Sequence, residues 1–374
     1  MVVSMIVIGI SLGLWMVCIV LIMSYPVNRA VEVCVESELP MVSILKPVKN
    51  WEAGLVENLK SFFELDYPRY ELIFGLDEPD PAIENPIRDL VSHFPQVEVK
   101  IVMTGREKIQ NPKIDTMIKL EPYCRGDLYW ISDSNTRVDP GFLSMAVRTQ
   151  TQTGSGLVFF LIRGSGTGRL GSLVENLYLN SFVSGTIVAA WHLAGIPIVV
   201  GKSILIDRKA LDRCGGWPAF RPYLAEDYMM GAIFRKNRIK VTTNYHWVVN
   251  TNHHSTLKGF FSRISRWSTM RFAINPWSFG LEILLNPIWL AVILIPWLGW
   301  WSGAVIMIKI VLDGVVYLGL SRENRTFSRI VLLPLVTCIK DGLIFIAYLK
   351  AMVDRRVDWR GRKLRVGRYS VIIS

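Results

Sequence analysis

Between Val2 and Met23 the chain runs for 22 residues without a charge. As a helix rising about 1.5 Å per residue, that run crosses the hydrocarbon core of a bilayer, so the rest of the chain has to fold beside a membrane. No basic residue precedes the run, and Tyr25-Pro26-Val27-Asn28-Arg29 follows it where a cleaved signal would show small residues. Residues 1–25 therefore read as a signal anchor. Arg29, Lys46 and Lys49 all lie on its C-terminal side, which by the positive-inside rule directs the following domain to the cytosol.

Composition narrows the class further. Of 374 residues, 51% are hydrophobic and 20% charged, against roughly 25% charged in a typical soluble chain. A disordered solvating protein and a small disulfide-stapled secreted domain are both excluded. The surplus of 42 Lys and Arg over 31 Asp and Glu gives +11. In so apolar a chain that surplus suits anionic lipid headgroups, and no nucleic-acid partner is expected. Cys18, Cys34, Cys124, Cys214 and Cys338 are scattered and form no CxxC, so no disulfide framework or zinc site is expected, and the compartment reads as reducing.

From about residue 40 to 250 short apolar runs alternate with helical periodicity. Met41–Leu45, Tyr70–Gly75, Val97–Val102 and Asp127–Ser132 read as strands, and Gly54–Phe63 and Ile83–His93 as helices. A β-α-β-α-β order implies an α/β domain with a mostly parallel sheet and ligand chemistry at the carboxyl ends of its strands. Phe182–Val200 is a second apolar run. It is long enough to span, yet Gly185, Gly195, Pro197 and His192 interrupt it, so a span and an interfacial or buried segment both remain open. Leu281–Gly299, Gly303–Leu320 and Ile330–Leu349 are further span candidates. The last carries Lys340-Asp341 at its middle, a costly pair in lipid unless it is buried or wet. A tail with seven basic and two acidic residues between Asp354 and Arg368 follows. If the last candidate crosses, that tail lies opposite the cytosol, against the positive-inside rule; if it is re-entrant or interfacial, the tail stays with the domain. The expected organisation is an anchor over 1–25, a cytosolic domain over 38–275, a C-terminal membrane region over 276–352 and a basic tail over 353–374.

Three acids stand where a site at the strand ends could use them. Asp77 follows the second strand, Asp133 follows the fourth, and Asp227 lies in Ala225-Glu-Asp-Tyr228. Any one alone is an ordinary turn or cap residue. All three, followed by Arg263-x-x-Arg266-Trp267 and combined with a membrane anchor, form a far less common set.

With Leu45-Lys-Pro-Val-Lys49, Phe63-Glu-Leu-Asp-Tyr-Pro68 and Asn111-Pro-Lys-Ile114 in the same order, the chain resembles the ceramide glucosyltransferases of glycosyltransferase family 21. The resemblance runs from the first apolar span to the basic tail. It implies a GT-A domain on the cytosolic face of an integral membrane protein, a UDP-sugar donor, and Mn²⁺ or Mg²⁺. Asp77 would contact the nucleotide, with Lys46, Pro47, Lys113 and Arg263 on the donor side. Asp133, with Asn135, would hold the metal on the diphosphate. Asp227 would deprotonate the acceptor, and Arg266 and Trp267 would lie near diphosphate and acceptor.

The chemistry fits those residue types. A diphosphate leaves readily only when its charge is neutralised, which a hard cation on oxygen ligands does. An alcohol nucleophile needs a carboxylate base, and Arg offers phosphate paired planar donors. Two departures stand out. Asp133-Ser134-Asn135 supplies one carboxylate where Asp-x-Asp would supply two, and the 179–200 stretch has Ser181-Phe182-Val183 where the animal enzymes are expected to carry a His-Pro pair. The expected function is inverting transfer of a hexose, glucose first, to the primary hydroxyl of a ceramide-like lipid. Transfer to a hopanoid or another lipid, and a non-catalytic membrane scaffold, are the alternatives. The acceptor is expected to arrive through 179–200 together with the aromatic and arginine-rich stretch Phe260–Phe279.

Overall fold

Four apolar stretches bounded by turn residues pair as parallel strands: β1 (Val42–Val48), β2 (Tyr70–Leu76), β3 (Glu98–Met103) and β4 (Leu128–Ser132). β1 pairs β2 on one side and β4 on the other, and β2 pairs β3. With β5 (Thr136–Arg137), β6 (Leu157–Ser165), β7 (Ser203–Asp207) and β8 (Val241–Thr251), they form an eight-stranded sheet in the order β3-β2-β1-β4-β7-β6-β8-β5. β7 runs antiparallel to β4 and β6, and β5 antiparallel to β8. The strand order reverses direction between β1 and β4, and in open α/β sheets a ligand crevice lies at such a switch point, outside the carboxyl ends of the strands.

This computed structural model describes residues 1–25, 39–105, 111–166, 168–321, 325–359 and 362–373, so the basic positions Arg29, Arg322 and Arg360 lie outside the described residues. The chain divides into two units. One holds Pro26–Ile162 and Pro197–Thr251; the other holds Met1–Tyr25, Arg163–Ile196 and Asn252–Ser374.

In the sheet-bearing unit, the Leu55–Phe63, Pro81–His93 and Phe142–Thr153 helices place Phe62, Ile87 and Phe142 against Ile44, Leu72 and Trp130 of the strands. Trp130 stacks on Phe142 with ring centroids 5.3 Å apart, and its indole N–H donates to Ser203 Oγ at 2.8 Å. A buried indole needs such a partner. β1 continues three residues beyond the expected Leu45, through Pro47. Its pairing with β4 stops at Leu45↔Ile131 while that with β2 runs to Val48↔Leu76. Only one flank of β1 is engaged there, so a residue without an N–H is accommodated. Glu71 of β2 is fully buried and accepts from Ser43 Oγ (2.7 Å), Lys100 Nζ (2.8 Å) and the Arg125 N–H (2.7 Å). Burial raises its proton affinity, but these donors outweigh that and hold the carboxyl below its ordinary value.

The other unit is helical. Val2–Ser24, Trp301–Leu320 and Phe327–Val353 are each long and apolar enough to cross a membrane, and Pro276–Leu285 with Pro287–Ile293 forms a fourth candidate bent by 82°. These helices fit a membrane protein. The Phe182–Val200 run does not form one span-length helix. Leu170–Tyr178 passes through a π-turn (Leu179–Val183) into Ser184–Ala194, which stops at Gly195 with φ +61°. After Phe327–Val353 come β9 (Arg356–Trp359), β10 (Arg362–Val366) and β11 (Ile372–Ile373), an antiparallel sheet that packs against the Leu257–Ile274 helix.

Lys340 and Asp341 are buried, and they are not alone. Lys309 Nζ lies 2.7 Å from Asp313 Oδ2 and 3.2 Å from Asp341 Oδ2. Lys340 Nζ lies 2.6 Å from Asp313 Oδ2 and 3.2 Å from Asp341 Oδ1. Lys340 also donates to Ser181 Oγ at 3.2 Å, and the Lys309 ammonium sits 4.0 Å from the Trp15 ring centroid. Two cations and two anions cancel, which is the condition for keeping charge inside an apolar helix bundle. The quartet joins four helical segments far apart in sequence.

Two outcomes are expected. Asp313→Ala leaves two buried lysines under-compensated and destabilises the detergent-solubilised protein by about 3–5 kcal/mol in thermal unfolding, whereas Lys309→Met with Asp313→Leu recovers most of that loss. Glu71→Gln costs about 2 kcal/mol at pH 7. Because the folded carboxyl titrates below the unfolded one, its contribution is present above pH about 4.3 and fades as pH falls further, so the gap between variant and wild type narrows in acid.

Candidate active site

At the switch point between β1 and β4 the side chains of Asp133, Lys113, Lys202 and Glu226 meet. Asp133 is the first residue after β4. Its Oδ1 accepts from Lys113 Nζ at 3.0 Å, and its Oδ2 lies 3.1 Å from Lys202 Nζ. Lys113 is delivered by the Pro112–Leu120 helix. Asn111 caps that helix, its Oδ1 accepting from the Lys113 and Ile114 N–H groups at 3.0 and 3.2 Å, and Pro112 fills the first helical position; Asn followed by Pro is a strong local start signal. Asn111 Nδ2 in turn donates to Glu226 Oε2 at 3.1 Å.

Lys113 Nζ also donates to the Gly201 carbonyl at 2.7 Å and lies 3.9 Å from Glu226 Oε1. Asp227 Oδ2 accepts the Gly201 N–H at 2.6 Å, and its Oδ1 accepts the Tyr228 N–H at 2.8 Å. Asp227 stands in the first turn of the Glu226–Lys236 helix, where the helix dipole favours an anion. A Cβ at Gly201 would sit 2.9 Å from Asp227 Oδ2 and 3.1 Å from Lys113 Nζ, so any larger residue there displaces the ends of these two side chains.

The titration of these groups follows from that crowding. Burial raises the proton affinity of Asp133, but the Lys113 and Lys202 ammoniums pull it well below the usual carboxylate range. Asp227 is raised, chiefly by burial, against the pull of Lys113 and its backbone donors. Glu226 is raised as well, by burial and by the neighbouring Asp227. Lys113 is held protonated: burial opposes its charge, but Asp133, Glu226 and Asp227 outweigh that.

Of the residues expected on the donor side, Asp77 follows β2 and is half-buried, and Pro47 lies in β1. Lys46 is fully buried and turned into the protein. Its ammonium donates to the Asp133 carbonyl at 2.8 Å, lies 3.5 Å and 3.4 Å from Ser132 Oγ and Thr136 Oγ1, and sits 3.5 Å from the Phe62 ring centroid. It braces the Asp133 turn from below. Burial drives its proton affinity well down.

For a divalent cation, the relevant oxygens already converge on one ammonium. Lys202 Nζ is 3.1 Å from Asp133 Oδ2 and 2.9 Å from Asn135 Oδ1. Among the described residues no group of three or more His, Cys, Asp or Glu forms a self-sufficient metal site. The set fits a hard cation that takes one carboxylate and one amide oxygen from the protein and the rest from phosphates and water.

Arg263, Arg266 and Trp267 belong to the helical unit, on the Leu257–Ile274 helix, at spacings that put them on one face. Arg263 pairs with the buried Glu175, which also accepts from Ser255 Oγ. Trp267 stacks on Tyr178 with centroids 6.2 Å apart. Lys202 and Gly201 escaped the sequence reading, and Glu226 entered it only as the neighbour of Asp227 in Ala225-Glu-Asp-Tyr228. Lys202 meets Asp133 through the antiparallel register Ser132↔Ser203, and local periodicity does not reveal that partnership.

Known proteins share this arrangement of sequence and fold. Ceramide glucosyltransferase 1 of Caenorhabditis elegans is 27% identical over 338 residues, covering 88% of this chain and 72% of that protein. A ceramide glucosyltransferase of Komagataella phaffii is 28% identical over 193 residues, covering 46% and 38%. Among solved structures, a mannosyltransferase from Pyrobaculum calidifontis in complex with GDP-Man and Mn²⁺ superposes with a TM-score of 0.50 at 17% identity, covering 93% of this chain and 99% of that one. It supports the same GT-A-like α/β fold. The sequence profile of glycosyl transferase family 21 matches residues 2–372, and the chain belongs to that family.

Proposed function

We propose that this glycosyltransferase moves a hexose, glucose first, from a UDP-sugar to the primary hydroxyl of a ceramide-like membrane lipid, with inversion, and that Asp227 is its base. The observation that carries this reading is the Asp227 carboxylate, held by two backbone donors at a helix N-terminus beside Lys113, in a chain whose long apolar helices suit a lipid acceptor. Its raised proton affinity brings it nearer to the working pH, where a general base is most effective.

In the single displacement, an Asp227 oxygen takes the hydroxyl proton as the lipid oxygen bonds to the anomeric carbon. The bond from that carbon to the diphosphate breaks, and UDP departs with the electron pair. Lys113 and Lys202 supply fixed positive charge beside Asp133, where a leaving diphosphate needs it. Asp133 and Asn135 would hold a divalent cation, which when bound adds charge neutralisation at the diphosphate. Lys46 acts as a positioning residue that holds the Asp133 turn. Asp77 serves the nucleotide, and the family motif assigns Arg266 and Trp267 to diphosphate and acceptor.

With the bent pair Pro276–Leu285 and Pro287–Ile293 re-entrant, Trp301–Leu320 and Phe327–Val353 cross out and back, and the exposed cations Arg355, Arg356, Lys363, Arg365 and Arg368 then meet anionic headgroups on the cytosolic face.

Asp227→Asn is expected to reduce transfer by about 10²–10⁴-fold while UDP-sugar binding is retained; a variant turning over at near-normal rate in nanodiscs refutes the assignment. The base acts deprotonated, so kcat falls as pH drops through its raised value. Lys113→Met removes the cation that holds that value down, so the acid limb moves to higher pH. A limb that stays put or moves lower contradicts the coupling. Asn135→Asp adds a second carboxylate and is expected to lower the Mn²⁺ concentration needed for half-maximal rate. Full activity in excess EDTA contradicts the metal role of Asp133.

A further inference from the structure

One cation of the candidate active site lies outside the sequence motifs. Lys202 Nζ is 3.1 Å from Asp133 Oδ2 and donates to Asn135 Oδ1 at 2.9 Å. These are the two side-chain oxygens that fit a divalent cation, and they already serve an ammonium that the protein itself carries. All three residues belong to the sheet-bearing unit.

The placement is built into the sheet. β7 runs antiparallel to β4 with Ser203 opposite Ser132, and the pairing continues one step further, the Asp133 N–H donating to the Lys202 carbonyl at 3.2 Å. Residues directly opposite each other on such a pair carry their side chains on one face. Asn135 is fixed separately, its carbonyl accepting from the Thr251 N–H at 2.9 Å and from Thr251 Oγ1 at 3.2 Å. The ammonium end of Lys202 is the movable part: lysine carries a point charge on a flexible four-carbon stem, and this side chain is 22% exposed. Lys113 is held more firmly, because its ammonium also donates to the Gly201 carbonyl at 2.7 Å and faces Glu226.

Charge decides what can share this position. One carboxylate, one amide and one ammonium are neutral together, so the Asp133-Ser134-Asn135 departure and Lys202 suit each other. A divalent cation arriving alone would add two positive charges beside the Lys202 and Lys113 ammoniums, and like charges at such range repel strongly in a partly buried site. A nucleotide diphosphate reverses that balance. It brings several negative charges and offers a displaced ammonium new oxygens, which lysine binds as a point charge.

We propose that Lys202 is an exchangeable counter-cation: it neutralises Asp133 beside Asn135 when no nucleotide is bound, gives up those oxygens to the divalent cation, and turns to the diphosphate, so that metal and nucleotide bind cooperatively. Metal loading then follows the donor instead of preceding it. This rests on the sugar-nucleotide part of the reading above and adds the residue that couples donor to metal.

The full chain in nanodiscs of neutral phosphatidylcholine is titrated with Mn²⁺ by electron paramagnetic resonance, without nucleotide and with saturating UDP, and UDP binding is measured by calorimetry in EDTA. In wild type, UDP is expected to lower the Mn²⁺ Kd by about tenfold or more. Lys202→Met is expected to lower the Mn²⁺ Kd without nucleotide by about tenfold and to shrink the effect of UDP on it to about threefold or less. The same variant is expected to weaken UDP binding in EDTA by about tenfold. Lys202→Gln, which also removes the charge, decides the matter if Lys202→Met fails to fold. An Mn²⁺ Kd that is unchanged or raised in the variant, a UDP effect as large as in wild type, or undiminished UDP binding in EDTA overturns the proposal and leaves the donor reading standing. A wild type that binds no UDP overturns the donor reading and this proposal with it.

Discussion

The Lys113 ammonium is the contact on which the site depends. Asp133, Glu226 and Asp227 converge on one crevice, and without a cation between them their mutual repulsion would disperse the segments that carry them. Lys113 reaches Asp133, the Gly201 carbonyl and the edge of Glu226 at once, so it ties the turn after β4, the loop before β7 and the start of the Glu226–Lys236 helix. Its own place is set by the Asn111 cap, and Asn111 also donates to Glu226. The same lysine holds Asp133 anionic and restrains the rise of Asp227. One ammonium thus ties the crevice together and lowers the proton affinity of both carboxylates; they differ because Lys202 adds its charge at Asp133, whereas burial dominates at Asp227.

The helical unit solves a related problem in apolar surroundings. Lys309, Asp313, Lys340 and Asp341 would each be costly alone, and together they balance. Because the partners come from different segments and Lys340 reaches the Leu179–Val183 turn, the quartet fixes how those helices meet. The Arg271–Glu282 pair plays a comparable part in the same unit, Arg271 Nε donating to both carboxylate oxygens at 3.0 Å.

Much of this was legible in the sequence. Strands β1 to β4 were readable because each is a short apolar run closed by turn chemistry. Asp133 was readable because a carboxylate directly after such a run falls at a strand's carboxyl end. The apolar N-terminal helix was readable from local rules alone, whereas Asn111-Pro112 was noted only as a motif although Asn before Pro is a helix-start signal. The antiparallel strands β6 to β8 were not, since their pairing depends on register between distant segments, and Lys202 was missed for the same reason. Lys46 was placed by motif on the donor side, but whether a lysine at a strand end points out or beneath the next turn is set by tertiary packing against Phe62. Lys340-Asp341 announced a problem whose solution, Lys309 and Asp313, lies on another helix. Glu282 gave no signal, because its meaning comes from Arg271, eleven residues earlier on a different helix.

Asp227 as base in a single displacement is the central claim, and the stereochemistry of the product tests it most directly. The sugar of UDP-glucose is α-linked. Purified full-length protein in nanodiscs, supplied with UDP-glucose and an N-acyl amino-alcohol lipid, is predicted to yield a glycolipid whose anomeric proton shows the β configuration by NMR. An α-linked product would require a second displacement or a front-face reaction, and would contradict the account.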